Sequence, residues 1–377
     1  MSNNHYQECS RCVMDTSDPQ ISFNERGECN LCTEYLEKRA QHQYQGKSSD
    51  DQLNELVSQI KKDGEGKEYD CIIGLSGGID SSYATYILKE KGLRVLAVHL
   101  DNGWNSEEAA LNIKNIAKKL DVDYESYVLN WNEFKDLQLS FLKASVPEAE
   151  TPTDIAIHAS WYHFTNKYNI KYIISGGNFA TEGILPKYWH YNAKDLKYLK
   201  SIQSKFGTKK IKSIPTFGFI SEMYQKLWKK AKVIYILNYV PYSKDEAMSF
   251  LKEKFDWKYY GGKHYESKYT GFIQSYYLYK KFGIDYRRAT LSSQICLGQT
   301  TRETALKELE QLPYNMENVH KEIQYIAKKL GITITEFEEI INLPPKWYID
   351  YPNNEKFLSL IYNSYRKLFK KDKLGNF

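Results

Sequence analysis

The stretch IIGLSGGIDSSYATYIL, Ile72 to Leu88, decides the fold. It opens on a short apolar run suited to a buried strand. A turn with two adjacent glycines follows, and then a helical pattern. In a strand–turn–helix unit of this kind, the N–H groups of the turn and the positive end of the helix together favour an anion. Gly77 and Gly78 let the main chain approach a phosphate closely, and Ser76, Ser81 and Ser82 offer hydroxyls. Asp80 cannot favour a phosphate directly; it could contact a Mg²⁺ that does, or cap the turn. The stretch lacks G-x-x-x-x-G-K-[ST] and G-x-G-x-x-G, which argues against a Walker-type NTPase and a dinucleotide fold.

Working outward, CIIGL, RVLAVHL, YESYVL, KYIIS and KVIYIL read as five strands. Helical patterns lie between them: SSYATYILKEKG, SEEAALNIKNIAKKL with Ser106 as N-cap, and TDIAIHASWYHFTNKYN. This alternation predicts an α/β fold, a doubly wound parallel five-stranded sheet with helices on both faces. Ligands of such sheets bind beyond the carboxyl ends of the strands. Three of those ends carry polar, Gly-containing loops: SGGIDSS, HLDNGW (His99 to Trp104) and SGGNFATEG (Ser175 to Gly183). A single loop of this kind is merely a turn, but three along one edge define one cleft.

CSRC at Cys9 to Cys12 and CNLC at Cys29 to Cys32 are separated by 16 residues. Two such turns can complete a tetrahedral thiolate cage, predicting a structural Zn²⁺ held by Cys9, Cys12, Cys29 and Cys32. A redox disulfide or an iron–sulfur cluster is the alternative. The intervening VMDTSDPQISFNERGE reads as a short hairpin. A polar linker with one helix centred on Leu53, Leu56 and Ile60 joins this module to the sheet. The predicted organisation is a four-cysteine zinc module (1–45), a linker (46–66), the sheet domain (67–242) and a mostly helical C-terminal region (243–377). Cys71 and Cys296 read as core residues.

The 377 residues carry a formal charge of only +5, which does not by itself imply nucleic acid. The Lys-rich end RKLFKKDKLGNF reads as a solvated helix end rather than a binding arm. No run approaches the ~20 apolar residues that span a bilayer, and MSNNHYQECSRC has no apolar signal core. The expectation is a cytoplasmic protein without membrane insertion, its clustered cysteines reduced.

Ser76-Gly77-Gly78-Ile79-Asp80-Ser81 resembles the SGGxDS loop of the PP-loop ATP pyrophosphatases (adenine nucleotide alpha hydrolase-like fold). That resemblance implies that the loop grips the β- and γ-phosphates of ATP, with Ser76, Gly77, Gly78, Asp80, Ser81 and Ser82 binding the cofactor. DNGW and ISGGN stand where the superfamily lines its adenosine pocket, adding Asp101, Gly176 and Asn178. VPYSKDEAMSFL resembles the stretch after the fifth strand and carries a possible capping box, Ser243 with Glu246.

The C-terminal third, with GGKHYES (Gly261 to Ser267), KFGIDYRR, LSS and TTRETAL, is similar to the N-acetyl sugar amidotransferases. These enzymes make acetamidino sugars for bacterial lipopolysaccharide and for pseudaminic or legionaminic acids. The opening CSRCVMDTSDPQISFNERGECNLC matches the same family. Tyr286 departs from it, standing where Lys is expected. Lys263, His264 and Glu266 offer a cation, an imidazole and a carboxylate, suited to an anionic transition state and a proton transfer. With Asp80 they are the catalytic candidates, although His264 alone could be structural. Arg287 and Arg288 could clamp a carboxylate or phosphate, or form surface ion pairs; with Glu182 they are the substrate-binding candidates. Thr300 with Glu303 and Thr335 with Glu338 read as capping boxes.

The resemblance implies ATP, Mg²⁺ and structural Zn²⁺ as cofactors. The amide oxygen of an N-acetylated sugar, nucleotide-linked or a nonulosonic acid, is adenylylated with release of pyrophosphate. Ammonia then displaces AMP to give the acetamidino group. The chain has no recognisable glutaminase nucleophile, so the expected ammonia source is a separate glutaminase subunit. The rival reading is a PP-loop tRNA-modifying enzyme such as a thiolase; the weak net charge and the lack of further paired cysteines argue against it. The four-cysteine module could also be a docking unit for the glutaminase.

Overall fold

The computed structural model describes residues 6–262 and 265–369. Lys263 and His264 lie outside the described residues, as does the Lys-rich end from 370 onward. Five strands form one parallel sheet: β1 Cys71–Gly74, β2 Val95–Asp101, β3 Asp123–Val128, β4 Tyr172–Ser175 and β5 Lys232–Tyr235. Their order is β3-β2-β1-β4-β5, in parallel register throughout.

Successive side chains of a strand point to opposite faces, and here both faces are covered. Ile72, Leu96, Val98 and Ile173 pack into one apolar cluster. Cys71, Ile73, Val95, Ala97, Tyr172 and Ile174 pack into a second cluster on the other face. A strand buried on both faces has no polar alternation to show, which is why the central strands read as plain apolar runs.

The N-terminal half supplies eight helices in chain order: α1 Asn30–His42, α2 Lys47–Asp63, α3 Ile79–Glu90, α4 Glu107–Lys119, α5 Trp131–Ala144, α6 Thr151–Lys167, α7 Phe179–Glu182 and α8 Leu196–Phe206. Helix α3 follows the glycine turn directly. Helix α4 starts where Ser106 accepts a hydrogen bond from the Ala109 N–H, the expected N-cap. Helix α2 buries Leu53, Val57 and Ile60, one stripe at helical spacing. The expected hairpin between the cysteine pairs reduces to isolated antiparallel bridges, Glu8 with Asp15 and Phe23 with Cys29.

The C-terminal region is helical, and its starts differ from those read in the sequence. Thr301, not Thr300, caps Arg302–Leu309. Thr333 forms a full capping box with Glu336, displacing the Thr335 and Glu338 pair. Ser243 stands at the N-cap of Lys244–Phe255 but makes no capping side-chain bond. Thr-x-x-Glu recurs in such sequences at more than one phase, and only the packed apolar face selects the phase used.

The cysteine module shares its core with the sheet rather than forming a separate one. Cys9, Cys12, Cys29, Cys32 and Tyr35 belong to the same cluster as Ile72 and Phe337. The Arg302 guanidinium donates to the carbonyls of Cys9 and Cys12 and pairs with Glu8 at 2.6 Å. Tyr35 stacks on Phe179 with ring centroids 4.2 Å apart.

Candidate functional site

The first loop is held as a cradle. Gly77 has φ +82°, a left-handed conformation that side chains rarely adopt, and a Cβ there would meet the Ala109 carbonyl oxygen at 2.3 Å. Its own carbonyl accepts from Trp257 Nε1 at 3.0 Å and Asn112 Nδ2 at 3.2 Å. Those bonds turn the loop carbonyl inward and leave the start of α3 to face the cleft. Ser76 Oγ accepts from the Gly78 N–H and lies 3.0 Å from Ser81 Oγ. Ser82 is buried, and its hydroxyl has no hydrogen-bond partner among the described residues. Gly176, from the loop after β4, lies against this turn: a Cβ on it would be 2.7 Å from the Ser81 N–H nitrogen. Two loops from neighbouring strands therefore meet at the helix start, with no room for a side chain between them.

Asp80 lies in the first turn of α3, where no side-chain cap bond forms. Its carboxylate accepts from Tyr242 OH. Tyr260 closes the other side: its hydroxyl would lie 3.2 Å from a Cβ on Gly78, and the Glu266 carboxyl carbon 3.6 Å from the same point. Burial, reinforced by Asp80, holds Tyr242 well above its ordinary pKa. Burial, reinforced by Glu266 and Asp80, does the same to Tyr260. Both tyrosines stay protonated and donate. The structure thus brings together Ser76, Gly77, Gly78, Asp80, Ser81, Ser82, Gly176 and Glu266.

The second loop borders a cavity of ≈ 580 Å³ along α4, β2 and β3, whose lining includes His99, Asp101, Asn105, Tyr124 and Ser126. His99 Nδ1 donates to the Leu75 carbonyl at 2.9 Å, and Nε2 accepts from Asn105 at 2.7 Å. Burial lowers its pKa, which agrees with that neutral tautomer. Asp101 accepts from the Gly103 N–H at 2.9 Å, shaping the turn.

In the third loop Asn178 caps α7, accepting from the Thr181 N–H. Glu182 faces inward, and its charge acts on Tyr235, Tyr242 and Tyr286. Arg287 and Arg288 are committed elsewhere. Arg287 pairs with Asp285 and donates to the carbonyls of Glu308 and Gln311. Arg288 pairs with Glu8 and Asp15 and donates to Val13. The residue of that segment acted on by the cleft carboxylates Glu182, Asp154 and Glu150 is Tyr286. Sequence reasoning missed Tyr242, Tyr260, Glu150 and Asp154. Tyr242 stands inside VPYSKDEAMSFL and Tyr260 just before GGKHYES, where a Tyr gives no signal of its own among 32.

The four N-terminal thiols converge separately. Their Sγ atoms all lie within 4.8 Å of one another, with Cys9–Cys32 at 3.7 Å and Cys12–Cys29 at 3.6 Å. A Zn–S bond of about 2.3 Å sets a tetrahedron edge of about 3.8 Å. The cluster therefore fits a Zn²⁺ ion, and none of the six cysteines is in a disulfide. Cys296 lies against Cys32.

Comparisons with known proteins match two stretches of the chain. Residues 266–368 match the family described as LPS biosynthesis protein WbpG-like, C-terminal domain. Residues 66–181 match the thiamine biosynthesis protein (ThiI) family. The chain is thus an α/β PP-loop protein, built to use ATP. More particularly, it joins its PP-loop domain to a WbpG-like C-terminal domain. An uncharacterised protein of Methanocaldococcus jannaschii is 26% identical over 329 residues, covering 86% of this chain and 99% of that protein. A tRNA-specific 2-thiouridylase of Fusobacterium nucleatum is 28% identical over 143 residues, 35% of this chain and 38% of its own length. Among solved structures, the NMN synthetase of Francisella tularensis has a TM-score of 0.31 at 16% identity, covering 59% of this chain and 99% of that one. The NH3-dependent NAD synthetase of Campylobacter jejuni has a TM-score of 0.28 at 16% identity, covering 55% and 84%. Among the described residues no helix is long and apolar enough to cross a membrane.

Proposed function

We propose that the protein is an ATP-dependent amidotransferase that converts an N-acetyl group of a bacterial surface sugar to an acetamidino group. The observation that carries this reading is where the WbpG-like domain begins. Its first residue, Glu266, bonds through its carbonyl to the Ser106 N–H and sets its carboxyl against Gly78 of the PP-loop. A sugar-linked domain that starts on the ATP cradle suits a sugar as the adenylyl acceptor.

An amide is a poor electrophile because its oxygen is a poor leaving group. In this reading the loop and the start of α3 hold the β- and γ-phosphates, leaving the α-phosphate open to the amide oxygen. The groove at His99, Asp101 and Tyr124 takes the adenosine, and Asp80, oriented by Tyr242, is the contact for Mg²⁺, which would neutralise charge on departing pyrophosphate. Gly176 and Asn178 shape the wall beside the nucleotide, and Glu182 faces the sugar. Lys263 and His264, which precede Glu266 in the sequence, are the proposed acid–base pair. Ammonia, from a separate glutaminase, displaces AMP once water is excluded.

A tRNA thiolase would need a reactive thiol in the cleft. Cys71 is fully buried in β1 and Cys296 is buried against Cys32, which disfavours that reading. The test is ATP–pyrophosphate exchange with nucleotide-linked or nonulosonic N-acetyl sugars against tRNA, followed by mass spectrometry for oxygen replaced by NH. Exchange driven by tRNA and by none of the sugars would overturn the proposal.

A further inference from the structure

Beside the loop, α6 begins at an acid on which no cation among the described residues acts. Glu150 is the N-cap residue of α6, yet its side chain makes no capping bond. Its Oε2 accepts from Thr270 Oγ1 at 2.7 Å. Its Oε1 is buried without a hydrogen-bond partner among the described residues. Two further acceptors nearby share that condition. Thr153, one helical turn on and 7% exposed, has an unpartnered Oγ1. Tyr269, 0% exposed and acted on by the Glu150 charge, has an unpartnered hydroxyl. Buried polar atoms are nearly always satisfied, so unpartnered atoms on Glu150, on Thr153 one turn along and on Tyr269 beside Thr270 suit a donor-rich guest.

The guest must be small and cationic or neutral, and it must donate several hydrogen bonds. Among the described residues the titratable groups acting with Glu150 are Asp154, Tyr269 and Tyr286, and none of these brings positive charge. The place is also next to the chemistry. Thr270 Oγ1 lies 3.0 Å from Ser267 Oγ, and Ser267 follows Glu266 at the PP-loop.

We propose that Glu150, with Thr153 and Tyr269, is the binding site for ammonium, the nitrogen co-substrate, and that Glu150 takes its proton. This rests on the amidotransferase reading for its role, but not for the binding itself. One N–H bond of ammonium breaks, and its proton and charge pass to Oε1. The freed lone pair forms the C–N bond to the adenylylated amide carbon as the C=N π pair shifts onto the imidate nitrogen. A proton moves from the new nitrogen to the imidate nitrogen, and the C–O bond to AMP breaks with its electron pair leaving on AMP, giving the amidinium. Burial, reinforced by Asp154, pushes the Glu150 pKa up to about 8, so the carboxylate that takes the proton is the minority form at neutral pH and the transfer gains as pH rises towards that value.

The direct test is thermal stabilisation of the full chain by ammonium chloride against sodium chloride at equal concentration. Wild-type protein should show an ammonium-specific rise in Tm that Glu150→Gln abolishes. In turnover with ammonium, Glu150→Gln should raise the ammonium KM at least about tenfold while leaving sugar-dependent ATP–pyrophosphate exchange within about twofold. Tyr269→Phe and Thr153→Val, each losing one acceptor, should raise it about threefold and serve if Glu150→Gln fails to fold. Equal stabilisation by the two salts, or an ammonium KM unmoved in all three variants, overturns the proposal. Wild-type protein that binds ammonium through Glu150 but shows no sugar-dependent exchange would instead sink the amidotransferase reading alone.

Discussion

Gly77→Ala is the sharpest test of the cradle. Two costs add. Placing a Cβ on a residue with φ +82° costs about 1–2 kcal/mol in left-handed strain. The new Cβ would also stand 2.3 Å from the Ala109 carbonyl oxygen, against an ordinary contact beyond 3.4 Å. That oxygen is backbone in the first turn of α4, so relief means moving the loop by about 1 Å or losing a helix hydrogen bond of about 1 kcal/mol. The sum is about 2–3 kcal/mol. With about 2.1 cal/mol/K per residue over 377 residues, each kcal/mol lowers Tm by about 1.3 °C. The expected drop is therefore only about 3–4 °C by calorimetry. The functional loss should be far larger, because the loop N–H groups must meet a phosphate to within a few tenths of an ångström; ATP–pyrophosphate exchange should fall at least about 100-fold. Gly66→Ala is the control. Gly66 has φ +74° with nothing within 4 Å of a Cβ, so the variant should lose about 1–3 °C of Tm from strain alone and no activity. Gly77→Ala with unchanged Tm and exchange within twofold of wild type would refute the reasoning.

Other outcomes bear on the groups around that loop and beyond it. Tyr242→Phe removes the donor to Asp80; exchange should fall roughly ten- to a hundredfold with little change in Tm, and an unchanged rate would show that Asp80 needs no orienting partner. Chelation should release about one zinc and expose the N-terminal module to protease; freshly purified protein holding neither zinc nor iron would contradict the cage. Arg302→Ala cuts the bonds to Cys9, Cys12 and Glu8; proteolysis within the first 45 residues should quicken, and wild-type resistance would show that the clamp is dispensable. Burial pushes Glu148 up to about 8, so between pH about 4.5 and 8 the folded chain keeps a proton that the unfolded chain releases. That contribution falls as pH rises through the window, by about 1.4 kcal/mol per unit at most. Glu148→Gln should flatten the fall of Tm over that range, and an unaltered slope would place the carboxyl in a wetter setting.

Much of the fold was legible because its signals are local. The central strands are short apolar runs, and Ser106 announces α4 with a capping side chain. The four cysteines announce one cage by spacing alone. Helix α5 was not read, although it buries Phe134, Leu137 and Phe141 at helical spacing. Arg287 and Arg288 read as either a clamp or surface ion pairs, because an Arg pair looks alike whether its partner is a ligand or Glu8, Asp15 and Asp285. Tyr242, Tyr260 and Glu150 carried no signal, since Tyr and Glu are common on any surface.

The sequence by itself determined the strand–turn–helix that makes an anion cradle, the parallel sheet around it and the thiolate cage, because each depends on residues near one another in the chain. Only the tertiary structure decided what faces that cradle. Residues 242, 260 and 266 reach the loop at 76–82 by packing across the sheet edge, and Tyr286 rather than its neighbouring arginines turns inward because Arg288 is drawn to the cysteine module. Which side of a helix meets a cleft is settled by all the surfaces competing for it, and no local pattern encodes that competition.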